Sequence, residues 1–120
     1  MRKETEAWWK QSKEDLDDAK FNFQGERYKT ATFLCQQAVE KAFKAFLIEK
    51  TKQLRKIHDL VELSKEIGIP SYLLDGIKEL TLAYIYSRYP DVKQKLNLRE
   101  KAGYFLDVSQ EALQWVEENL

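Results

Sequence analysis

Apolar residues recur along this chain at spacings of three and four, and no useful stretch alternates with period two. Such spacing gathers apolar side chains onto one face of an α-helix. From about Lys3 to Phe23, Trp9, Ser12, Leu16, Ala19 and Phe23 follow at intervals of 3, 4, 3 and 4 and draw one stripe. Gly25 is a natural stop, and a polar break, Gly25-Glu26-Arg27, follows. From about Tyr28 to Lys50, Ala31, Leu34, Cys35, Ala38, Ala42, Ala45 and Phe46 form the next stripe. Phe33, Val39, Phe43 and Leu47 widen it. A helix apolar over so much of its circumference belongs in the middle of a bundle or at an interface. Its alanines let a neighbouring helix come close.

Thr51 to Ile57 is polar and basic and reads as a loop. Asp59, with Glu62 three residues later, is a variant capping box with Asp as the cap. It predicts a short helix from Leu60 to Ile67, stopped by Gly68. Ile69-Pro70-Ser71 is a break, with Ser71 as the next cap. From about Tyr72 to Tyr89, Leu73, Ile77, Leu80 and Tyr84 are spaced 4, 3 and 4. Tyr89 precedes Pro90, and a residue before proline avoids helical angles, so the helix should end there. Pro90 to Asn97 reads as a loop. A last helix, about Leu98 to Glu118, carries Ala102, Phe105, Leu106, Ser109, Ala112, Leu113 and Val116 inward. Short connections favour antiparallel neighbours. The expected fold is therefore all-α: an up-down four-helix bundle, with an additional short helix between the second and third long helices.

Composition sharpens this picture. The chain has 120 residues, which fits a single domain over 1–120 and leaves no room for a second core. It is 43% hydrophobic and 33% charged, too apolar for disorder and too charged for a membrane protein. Only 4 Gly and 2 Pro argue against a fold of many strands and turns. The one cysteine, Cys35, excludes an intramolecular disulfide. The N-terminal stretch is charged and has no secretory pattern. No run approaches the ~18 apolar residues of a membrane span. The expected compartment is the cytoplasm. Twenty basic residues balance twenty acidic ones, so there is no global attraction to phosphate. The cations are nevertheless clustered. Lys50, Lys52, Arg55 and Lys56 stand together, and Arg88, Lys93, Lys95, Arg99 and Lys101 face only Asp91 and Glu100. Both clusters fall at helix junctions, where a polyanion could be gripped.

Several chemistries lack their residues. A helical metal site needs a Glu-x-x-His pair, and Arg55 stands where that Glu would precede the single histidine, His58. A Cys/His zinc site is equally unsupported. No metal and no cofactor is expected. Cys35 lies on an apolar stripe and reads as packing rather than as a nucleophile. There is no Gly-rich phosphate loop. His58 and Asp59 at a helix start read as local capping; the functional alternative is an imidazole that contacts ligand beside the basic loop. The stretch Tyr84-Ile-Tyr-Ser-Arg-Tyr-Pro-Asp91 is the least generic. Arg88 follows Tyr84 by four residues and shares its face. It can pair with a carboxylate of the second helix such as Glu40, or hold a phosphate. Trp8 and Trp9 are adjacent, so both cannot enter one core; one is expected at an interface or partly exposed.

Three stretches, read in order, carry a resemblance: Phe33-Leu-Cys-Gln-Gln-Ala-Val-Glu-Lys-Ala-Phe-Lys-Ala-Phe-Leu47, then His58-Asp59-Leu60, then Tyr84 to Asp91. Together they resemble the HEPN family (higher eukaryotes and prokaryotes nucleotide-binding domain) over nearly the whole chain. The resemblance implies an up-down helical bundle, a homodimer, and a partner nucleotidyltransferase of the minimal kind, in a toxin–antitoxin-like pair. Catalytic members resemble one another in an Arg followed by four to six residues and a His, a pair suited to cutting RNA without a metal. Here Arg88 is the candidate Arg, but Lys93, Gln94 and Lys95 occupy the positions for His. The resemblance therefore points to a non-catalytic module that binds a nucleotide or RNA. Arg88 would contact phosphate, Tyr84 or Tyr89 would lie beside the base, and Asp91 would fix the arginine or the loop. Lys44, Glu40 and His58 complete the candidate set. Two rival readings are a ribonuclease that joins Arg88 to His58 in space, and a protein-interaction domain with no nucleotide.

Overall fold

The computed structural model describes residues 1–93 and 97–120, with nothing stated of the side chains of Val92 and Lys93. The chain forms α1 (Lys3–Gln24), α2 (Tyr28–Thr51), α3 (Leu60–Ile67), α4 (Ser71–Tyr86), α5 (Pro90–Lys93) and α6 (Leu98–Asn119). No strand occurs among the described residues. The four long helices make an up-down bundle, and α3 sits in the connection between the second and third of them. The molecule measures 41 × 25 × 24 Å. The long dimension follows from helices of 22 and 24 residues, each rising about 1.5 Å per residue.

Helix α2 is the axis of the fold. It touches α1, α6, α3 and α4, as its broad apolar circumference requires. Ala38, Ala42 and Ala45 are fully buried beside Cys35, Val39 and Phe43. Polar contacts tie α1 to α2 along their seam. Thr5 Oγ1 donates to Glu49 Oε1 (3.0 Å), Lys41 Nζ to Asp15 (2.6 Å), and Ser12 Oγ to the Ala38 carbonyl (2.6 Å). The Arg2 backbone N–H and then the Thr5 hydroxyl, both donating to Glu49, hold its carboxyl below the usual range. Gly25 ends α1 as expected, but not through the left-handed conformation. Gly25 has an ordinary φ of −84°, and Glu26 takes the left-handed conformation at φ 61°.

The α4 region departs most from the sequence expectation. The helix ends at Tyr86, three residues before Tyr89, because Ser87 Oγ donates to the Tyr84 carbonyl (3.0 Å) and competes with the next turn. Pro90 then opens the one-turn helix α5 inside the expected loop; its fixed φ and missing N–H suit a first helical position. Ser71 is the first helical residue rather than a cap, and the Pro70 carbonyl receives the Leu73 and Leu74 N–H groups. Gly76 permits a close approach of α4 to α6: a Cβ there would lie 2.7 Å from Val108 Cγ2. No helix among the described residues is long and apolar enough to cross a membrane.

Candidate functional site

The seven candidate residues fall into two groups along the same side of α2. The first group sits where α4 ends against the start of α2. Arg88 lies with its guanidinium carbon 4.3 Å from the centre of the Tyr84 ring, and its Nη2 donates to the Tyr84 hydroxyl. Tyr84 is half-buried and packs in turn on Phe33, ring centres 5.8 Å apart and 31° between planes. Phe33 therefore lies at the surface, 43% exposed, and does not widen the core stripe. Lys29, Thr30 and Ser87 complete a hollow of about 150 Å³ with Phe33, Tyr84 and Arg88. Tyr89 is exposed beside it, its ring 6.4 Å from that of Tyr86. Asp91 is exposed, and no hydrogen bond or ion pair among the described residues joins it to Arg88.

Arg88 does not pair with Glu40, so of its two readings the buried ion pair is excluded. Glu40 is engaged elsewhere, in the second group. Lys44 and Glu40 are one helical turn apart on α2, joined Nζ to Oε2 at 3.2 Å, with side chains only 4% and 9% exposed. His58 Nδ1 stands 3.2 Å from the same Glu40 oxygen and 3.5 Å from Lys44 Nζ. The Trp8 ring covers Lys44 Nζ at 5.4 Å. Trp9 takes the core position, and Trp8 is half-buried over this cluster. The expected capping by His58 and Asp59 is divided. Asp59 Oδ1 alone accepts the Val61 and Glu62 N–H groups, at 3.0 and 3.2 Å, while His58 turns to Glu40.

Phe33 and Glu40 are seven residues apart, which is about 10 Å along a helix. That separation keeps Arg88 and His58 in different groups within one chain. Of the positions expected to lack histidine, Gln94 and Lys95 lie outside the described residues, as does the Lys93 side chain. Among the described residues no cluster of three or more His, Cys, Asp or Glu could hold a metal ion. Cys35 is fully buried; burial pushes its thiol up to about 11, with a hydrogen bond to Ser109 partly offsetting the rise. Lys29, Thr30 and Ser87 escape sequence reasoning because two distant helix ends bring them together. Trp8 over Lys44 escapes it for the same reason.

A family model, the HEPN domain, matches residues 5–119. The chain belongs to the HEPN family. Its fold superimposes on the crystal structure of TT1696 from Thermus thermophilus with a TM-score of 0.87 and 28% identity, covering 99% of this chain and 100% of that one. ST0689, described as an archaeal HEPN homologue, aligns with a TM-score of 0.81 and 29% identity, covering 99% and 98% of the two chains. Among proteins of curated function, none matches this chain in sequence. The HEPN match spans both candidate groups, from Trp8 at one end to Arg88 and the start of α6 at the other.

Proposed function

We propose that this HEPN chain is a nucleotide- or RNA-binding module that holds phosphate with Arg88 and does not cut its ligand. The observation that carries the reading is how Arg88 is held. It is exposed and fixed by a tyrosine ring and hydroxyl, with no carboxylate neutralising it among the described residues. Stacking orients a guanidinium while leaving other N–H groups free for phosphate oxygens. Lys29 across the hollow adds a second cation, and the exposed Tyr89 offers a ring to a base. Lys44 fits this role less well than Arg88, since Glu40, His58 and Trp8 already surround it.

The absence of histidine after Arg88 in the sequence, and the distance along α2 between the Arg88 and His58 groups, support binding without cleavage. Titration of ATP and of a short RNA against wild type and Arg88→Ala tests the assignment. The variant should lose binding at least tenfold, and equal affinities would remove Arg88 from the site. Labelled RNA should stay intact at high protein excess with chelator present.

The same reading includes a homodimer and a minimal nucleotidyltransferase partner in a toxin–antitoxin-like pair. Leu82, Ile85, Tyr86 and Tyr89 leave an exposed apolar stripe on and just after α4, next to Arg88. A second copy covering that stripe would bring two Arg88 sets near one another. Sedimentation at twice the chain mass, and a nucleotidyltransferase encoded next door, are the expected findings.

A further inference from the structure

A larger groove, of about 690 Å³, adjoins the Arg88 hollow at the same end of the bundle. Lys29 and Thr30 line both. The α1–α2 turn gives the groove Glu26 and Arg27, the start of α2 gives Tyr28 and Lys29, and the start of α6 gives Arg99. With Arg88 this makes four cations, all exposed and none in an ion pair among the described residues. Among the described residues Glu26 is the one acid lining the groove. The whole chain is neutral, so folding has concentrated positive charge here from three separate places in the sequence, residues 27–29, Arg88 and Arg99. Four cations facing the single acid Glu26 still repel one another, and an anion relieves that repulsion.

The form of the groove says which anion. A single phosphate needs only the small hollow, whereas the two spaces together offer cations strung from Arg88 through Lys29 to Arg27 and Arg99. Aromatic rings accompany them: the exposed Tyr89 by the hollow, and Tyr28 in the groove, braced edge-on by Phe23 at 5.9 Å. Cations that track a backbone, interleaved with rings that stack bases, are what a flexible single strand requires.

We propose that this groove is a second subsite, which takes the phosphodiester backbone of a single-stranded RNA running on from the Arg88 hollow, with Arg27, Lys29 and Arg99 as its phosphate contacts. The direction of the strand rests on the phosphate-holding role of Arg88; the groove itself is tested apart from it. A fluorescein-labelled single-stranded RNA of about ten nucleotides, and ATP, are titrated against the full chain at several salt concentrations. The proteins compared are wild type, the Arg27→Gln/Arg99→Gln double variant, Arg88→Ala and Glu26→Gln, with melting curves confirming that each is folded.

The double variant should bind the RNA about tenfold more weakly, and its dependence of log affinity on log salt should flatten by about 1 to 2. Its ATP affinity should be unchanged. Glu26→Gln, which removes the opposing acid, should bind RNA more tightly. Unchanged RNA affinity and salt slope in the double variant would overturn the groove. So would equal displacement of the RNA by polyglutamate of similar length, which would assign the groove to an acidic peptide. Loss with Arg88→Ala alone leaves the Arg88 reading standing and removes the groove; loss with the double variant alone does the reverse. Failure of wild type to bind RNA at low salt would remove the groove, and failure to bind ATP as well would remove both.

Discussion

Arg88 and Lys44 are both cations on the same side of the protein, and their surroundings give them opposite roles. Arg88 stacks on Tyr84 and stays exposed. Lys44 is 4% exposed, with Glu40, His58 and Trp8 around it. Breaking a buried pair leaves an uncompensated charge, which costs about 3 kcal/mol. Lys44→Met and Glu40→Gln should each lower stability by about that much, while the double variant should recover much of the loss, as urea unfolding would show. Cys35 gives a pH prediction. Its thiol is raised from 9.0 to about 11 in the folded state, so between those values the native state keeps a proton that the unfolded state releases. Its contribution is constant below pH 9 and falls as pH rises, by about 2 kcal/mol at pH 11. Cys35→Ser should lack that alkaline step in a pH series of melts. Of the candidate residues, Tyr84 and Arg88 were legible as neighbours on one face from the four-residue spacing, but not the stacking of one on the other. The capture of Glu40 by Lys44 and His58 was only half legible. The one-turn spacing offers Glu40 to Lys44, but the arrival of His58 depends on the path of residues 52–59.

Each helix carries the signals that start and stop it, and these can be tested singly. Asp59 is the side-chain cap of α3, and Asp59→Ala should cost about 1 kcal/mol. It should also loosen His58 from Glu40, because the cap fixes where the preceding residue enters the helix. Gly76 makes a sharper test. Alanine is the better helix former by about 1 kcal/mol, so propensity alone predicts that Gly76→Ala stabilises α4. The close approach of Val108 argues the reverse, since a β-branched side chain at 2.7 Å has little freedom to move away. Gly76→Ala should therefore lower the melting temperature, and adding Val108→Ala should restore part of the loss. The ends of α4 show why boundaries are less legible than helices. Periodicity and Pro90 carried the expected helix to Tyr89, but a serine side chain bonding to the backbone ended it at Tyr86. That competition is between two local hydrogen bonds of similar strength, and hydrophobic spacing does not decide it.

At the scale of the whole molecule, neutrality conceals polarity. The end with Arg27, Lys29, Arg88 and Arg99 carries cations that lack ion-pair partners among the described residues, while Lys41, Lys44 and Arg55 are paired with Asp15, Glu40 and Glu66. Surface attraction of this kind is screened over about 8 Å at physiological salt. RNA binding should therefore weaken steeply as salt rises, while thermal stability should change little. The helices, the buried role of α2 and the all-α class can all be read from the order of residues. Each of these depends on spacing within one segment, where 3.6 residues per turn fixes which side chains share a face. The family can be read in the same way, because the motif residues stand in order along the chain. Which helix ends meet is a matter of tertiary packing. The Arg88 hollow joins the end of α4 to the start of α2, and the groove joins the α1–α2 turn to the stretch between α4 and α6, about sixty residues away. Such proximity comes from antiparallel packing of rigid rods about 30 Å long, which places distant residues at the same end of the bundle. Local pattern specifies each rod, and the hydrophobic core they share sets the rest.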